Sequence, residues 1–97
     1  AKDIQVMVAP NPLRGEGEIL FAVSGICPCR IQAMRVEVYD LTGRLVWAGM
    51  RDAAWLTWDG HGRDGHPLAN GVFLYKIHLK INNDWVPVGV GKLAILR

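Results

Sequence analysis

From Met34 to Asp40 the chain reads MRVEVYD, with Met34, Val36 and Val38 alternating against Arg35 and Glu37. Successive side chains of an extended strand point to opposite faces, so this stretch is a strand with one face buried and one wet. A longer run, NGVFLYKIHLKI from Asn70 to Ile81, does the same. Phe73, Tyr75, Ile77, Leu79 and Ile81 alternate with Leu74, Lys76, His78 and Lys80. A helix would place its apolar residues at a period near 3.6, and no window of the chain does so. This period of two restricts the chain to sheet structure.

Five more segments carry the same signal: IQVMV from Ile4, EILFAV from Glu18, RLVWAG from Arg44, AWLTWDG from Ala54, and WVPVGVGKLAILR from Trp85. Pro87 cannot donate to a ladder, which puts its part of the last strand at an edge or a bulge. Turn residues separate the segments. DLTG, from Asp40 to Gly43, has an Asp able to bond the backbone two residues on and a Gly tolerant of positive φ, so Tyr39, Asp40 and Gly43 close a hairpin. About seven short strands with turns between them predict an all-β sandwich or barrel. The predicted inward set is Val6, Val8, Ile19, Phe21, Val36, Val38, Val46, Leu56, Trp58, Phe73, Tyr75, Ile77 and Leu93.

With 97 residues the chain is one domain, 1–97, and with 51% apolar residues it buries a core, though a thin one. Eleven Lys and Arg against nine Asp and Glu are scattered along the chain rather than gathered in a stripe, which argues against a nucleic-acid binder. No apolar run approaches the roughly 20 residues of a membrane helix, so no membrane insertion is expected. The chain opens at AKDIQ with neither an initiator Met nor a signal peptide, as a piece of a longer protein would. Cys27-Pro28-Cys29 reads as a loop with two thiols or as one strained, reducible bridge. Two Cys alone make no zinc site, and no Cys-x-x-Cys spacing is present.

TWDGHGRDGHPLAN, Thr57 to Asn70, concentrates chemistry-bearing side chains. Asp59, His61, Asp64 and His66 are the candidate metal ligands, since zinc takes three or four N, S or O donors. Against this, the glycines leave the loop adaptable, the two His lie five apart, and two carboxylates are few for calcium. Catalysis lacks a partner: Ser24, the one serine, belongs to a distant loop. The structural reading is a connecting loop. Asp59 bonds the backbone at the strand exit, Asp64-Gly65 makes a tight turn, and Gly60 and Gly71 supply unusual backbone angles. No catalytic residue, cofactor or metal is expected.

Trp58 is expected as a core anchor. Trp47 and Trp55 have outward parity, and as an exposed pair they would bind sugar rings or a partner, or lie under a neighbouring domain. His78 is expected on a wetted face between Lys76 and Lys80.

VEVYDLTGRLVW, then WDG, then GHPLANGVFLYKI, then GKLAIL, occur in that order, after an opening APNPLRGEGEILFAV. In this order the chain resembles the immunoglobulin-like domain named after the flagellar hook-capping protein, and the related C-terminal domains of secreted bacterial proteins, some of which are sorting signals of type IX secretion. The resemblance runs from about Pro10 to Arg97. It departs where the family usually has an acidic residue, two positions after Trp-Asp-Gly; Gly62 stands there. The resemblance implies an immunoglobulin-like β-sandwich of about seven antiparallel strands and a non-catalytic module. Such a module serves in sorting, anchoring or packing against a neighbour, at the cell surface or outside the cell, with a neighbouring domain or the secretion machinery as partner. The alternatives are a carbohydrate- or protein-binding module using Trp47 and Trp55, and a flagellar hook assembly scaffold.

Overall fold

A computed structural model describes residues 4–97, so Ala1, Lys2 and Asp3 of the opening AKDIQ lie outside the described residues. The strands are β1 (Gln5–Ala9), β2 (Leu13–Arg14), β3 (Ile19–Ser24), β4 (Ala33–Tyr39), β5 (Leu45–Arg51), β6 (Trp55–Trp58), β7 (Gly71–Ile81) and β8 (Asp84–Leu96). Seven match the alternating segments within a residue or two at most ends. They form a three-stranded sheet, β1-β3-β6, and a five-stranded sheet, β2-β8-β7-β4-β5, in an immunoglobulin-like sandwich. A single 3-10 turn, Pro28–Arg30, joins β3 to β4.

One element departs from the sequence reading. β2 is an eighth strand, and it pairs parallel to β8 through Leu13↔Ile95 and Arg14↔Leu96, so the sandwich is not wholly antiparallel. Two residues among prolines and glycines carry no readable period. Yet Leu13 is 2% exposed and sits in the core beside Ile95. Cys27 and Cys29 are joined by a disulfide with a Cα separation of 5.2 Å, inside the usual range for a bridge.

The core follows the alternation. Ile19, Phe21, Val36, Val38, Leu56, Trp58, Phe73, Ile77 and Leu93 are buried as expected, and Leu13, Ile31, Met34, Leu79 and Ile95 join them. Each fully buried large apolar side chain contributes about 1.5–3 kcal/mol before its ordering cost is subtracted. Val6, Val8, Val46 and Tyr75 are half-buried against this cluster, not inside it. Gly89 lets the sheets close: a Cβ there would lie 2.6 Å from Val6 Cγ2 on the facing sheet.

β8 runs beside β7 for its whole length and beside β2 only at Ile95 and Leu96. The two Asn of the turn-like segments secure the rest of its end. The Asn11 carboxamide accepts from Ala94 N at 3.0 Å and donates to Lys92 O at 3.1 Å, standing in for a strand residue at that edge. Asn70 brackets Arg97 in the same way, at 2.8 and 3.3 Å. Pro87 sits where the register shifts, with Val88 the extra residue between the His78 and Ile77 partners, and no strand flanks it on the other side.

Candidate functional site

The loop after β6 folds as a small hairpin of its own. Asp59 Oδ1 accepts from His61 N at 3.0 Å, and Asp64 Oδ1 accepts from His66 N at 3.0 Å, which makes two successive Asx turns. Gly62 N donates to His66 O, Leu68 N to Gly60 O, and Arg63 N to Val46 O, tying the loop to β5. Trp58 Nε1 donates to His61 O at 2.9 Å and fixes the loop to the core. Gly60 holds a φ of +80° and is covered by Arg97 and Leu13, so a side chain there has neither the angle nor the room. Gly71 takes no left-handed angle; it is an ordinary first residue of β7, opposite Ile95.

The four polar side chains therefore gather as two pairs. His61 Nδ1 lies 3.3 Å from Asp59 Oδ1, and His66 Nδ1 lies 3.4 Å from Asp64 Oδ2. The first pair borders a hollow of about 390 Å³ with Glu16, Glu18, Pro67 and Arg97; Asp64 borders a different one with Arg44, Val46 and Leu68. Among the described residues no three His, Cys, Asp or Glu are grouped to hold a metal ion. The backbone hydrogen bond from His66 holds the Asp64 carboxyl below its ordinary range. Arg97 lines the first hollow, its guanidinium donating to Gly15 O at 3.3 Å and Gly60 O at 3.2 Å.

The DLTG turn closes the β4–β5 hairpin as its residues dictate. Asp40 Oδ1 accepts from Thr42 N at 2.9 Å, Arg44 N at 3.0 Å and the Thr42 hydroxyl, while Gly43 takes a φ of +92°. The Thr42 hydroxyl, followed by the Arg44 amide, pulls the Asp40 carboxyl below its ordinary value. Tyr39 donates to Glu37 Oε1 at 3.1 Å; burial, then that bond, raises its phenol.

The tryptophans do not form an exposed pair. β4 and β5 slip register between Val38 and Tyr39, leaving Val46 as an extra residue. The slip turns Trp47 to the side of Val38, the core side, where it stacks on Trp58 at 5.1 Å and 23°. Counting alternation from Val46 inverts this parity, because a bulge breaks the period of two. Trp55 alone is exposed, on the other sheet, with the Arg51 guanidinium 3.8 Å over its ring.

The fold also gathers what the sequence scatters. On the outer face of the five-stranded sheet, Arg35 pairs across to His78, Glu37 to Lys76, Lys80 to Trp85 and Leu74 to Lys92. With Arg14 beside Leu96, five cations among the described residues thus share a face with one carboxylate. Arg35 lies 4.9 Å and Lys80 6.0 Å over the Trp85 ring, and Lys76 lies 5.3 Å over Tyr39. His78 is half-buried rather than wetted, its Nδ1 enclosed without a partner among the described residues.

The outer face of the small sheet is the opposite in character. Its cross-strand rows, Met7–Ala22–Trp55 and Ala9–Leu20–Thr57, contain no charged residue.

No family model and no curated protein matches the chain, so its membership in the hook-capping family is not established by these comparisons. Solved structures do match. PorU from Porphyromonas gingivalis, in a dimeric latent form, is 24% identical over 96% of this chain with a TM-score of 0.75. PorZ, a surface component of the type-IX secretion system of the same organism, is 27% identical over 95% with a TM-score of 0.62. CopC from Methylosinus trichosporium OB3b shares the fold at 16% identity and a TM-score of 0.56. The chain spans 9% of the PorU chain and 11% of the PorZ chain. It is similar to one sandwich domain within each of those far longer proteins.

Proposed function

We propose that this chain is a non-catalytic accessory module of a secreted or cell-surface bacterial protein. It addresses the parent for export and attachment, or packs against and stabilises a neighbouring domain. The observation that carries the reading is the match of nearly the whole sandwich to a small part of PorZ, a surface component of type IX secretion. The chemistry of the loop agrees with it. Asp59 and Asp64 each accept from one of the loop's own amides, which is turn building. The mainly apolar face of Met7, Ala22 and Trp55, with the Arg51 guanidinium lying over the Trp55 ring, suits a covering neighbour.

The test is an export assay. Residues 1–97 are fused to the C-terminus of a periplasmic reporter in a bacterium with type IX machinery, and the reporter is located. Delivery to the surface or medium supports the sorting role. Retention in the periplasm with a protease-resistant domain overturns it and leaves packing. Deleting GKLAILR removes Leu93 and Ile95 from the core, so it needs a matched control that unfolds the domain but keeps the tail, such as Phe21→Asp.

A further inference from the structure

We infer that the outer face of the five-stranded sheet docks a separate protein whose surface combines carboxylates with aliphatic side chains. The inference goes beyond the accessory-module reading and does not depend on whether the domain carries an export address. Two observations meet on this face. The first is charge: Arg35, Lys76, Lys80 and Lys92 lie on it, and the single acid, Glu37, is engaged by Tyr39. The second is exposed aliphatic surface on the strands that flank those of Arg35 and Lys76. Val90, 69% exposed, faces outward beside Lys76, and Met50, 60% exposed, faces outward beside Arg35. Val72 and Leu96 extend the patch along β7 and β8.

The chemistry selects among occupants. Sugar rings and nucleobases dock on bare aromatic faces, whereas here Trp85 is covered by Arg35 and Lys80, and Tyr39 by Lys76. A simple polyanion gains nothing from Val90, Met50 and Val72. A protein surface uses both features, pairing its carboxylates with the cations of β4 and β7 and burying the aliphatics of β5 and β8 on either side. A second copy of this chain would set cation against cation. The charge of the face selects a partner of complementary charge.

The test uses the 97-residue chain and four probes: a peptide alternating Glu and Leu, the same peptide with Gln for Glu, polyglutamate, and heparin. Binding is read from backbone amide shifts. The expected result is a shift pattern centred on Arg35, Lys76 and Val90 with the Glu/Leu peptide, at least about tenfold tighter than any control and weakened by salt. The Lys76→Gln, Lys92→Gln double variant, its fold checked by its amide spectrum, loses about tenfold. Absence of shifts with the Glu/Leu peptide, shifts on the Met7–Trp55 face, equal binding of heparin or polyglutamate, or an unaffected double variant would each overturn the inference. The export assay is unaffected by any of these results, so the two readings fail separately.

Discussion

Gly49 is the sharpest test of the corrected role of Trp47. A Cβ built on Gly49 would lie 2.6 Å from both Cη2 and Cζ2 of Trp47. The ring cannot simply swing away, because it is stacked on Trp58, itself 2% exposed. Gly49→Ala should therefore cost about 1–3 kcal/mol, the range for forcing an extra carbon into a packed site. In a domain of this size each kcal/mol lowers Tm by about 4–8 °C. Trp47→Ala alone should cost about 2–4 kcal/mol, less than the roughly 3–5 of a fully buried Trp because this ring is half-buried.

The double variant then decides. With the ring gone, the three atoms nearest the new methyl go with it, and Gly49 needs no left-handed angle that Ala would resist. Gly49→Ala in the Trp47→Ala background should be neutral or stabilising by up to about 1 kcal/mol, through a stiffer unfolded chain. The cycle, measured by thermal or urea unfolding, should return a coupling of about 1–4 kcal/mol. An equal cost of Gly49→Ala in both backgrounds would refute the packing argument and free Trp47 for a surface role.

Three further outcomes are expected. Asp40 has a lowered carboxyl in the fold, so the stability it confers is complete above its ordinary value near 3.8 and is lost as pH falls through the lower folded value. Asp40→Asn should flatten the decline of Tm below about pH 4, and an unchanged slope would rule the turn out as its source. Asn11→Ala should cost about 1–3 kcal/mol, for two backbone partners lost at about 0.5–1.5 each, and should speed hydrogen exchange at Ala94 more than at Val36. Reducing Cys27–Cys29 should cost no more than about 1.6 kcal/mol, since the bridge closes a loop of only three residues; unfolding on reduction would contradict this.

The strands were legible because alternation is a local signal that burial on one face enforces. β4 and β7 carry it without interruption, and their inward residues Val36, Val38, Phe73 and Ile77 are buried as read. What escaped was non-local or broke the period. The bulge at Val46 inverted the parity of Trp47, and a bulge has no composition that marks it in RLVWAG. Leu13 looked like loop because two residues show no period; its partner, Ile95, is at the far end of the chain. The DLTG turn and the two Asx turns of the loop were readable from Asp, Gly and their spacing, since each bond spans two residues. The basic face was not, because Arg35, Lys76 and Lys92 are neighbours only after β4, β7 and β8 pair.

The parallel pair of β2 with β8 has a kinetic consequence. Leu13 meets Ile95, and Arg14 meets Leu96, so one ladder closes a loop spanning most of the chain. Such closure is slow, because the entropy of bringing distant segments together is lost before their contacts form. During synthesis, the hydrophobic seam around Leu13, Leu93 and Ile95 stays open until its last contributor has left the ribosome. With this topology the sandwich lacks its β2–β8 seam for as long as the segment around Leu93 and Ile95 is unmade or held extended.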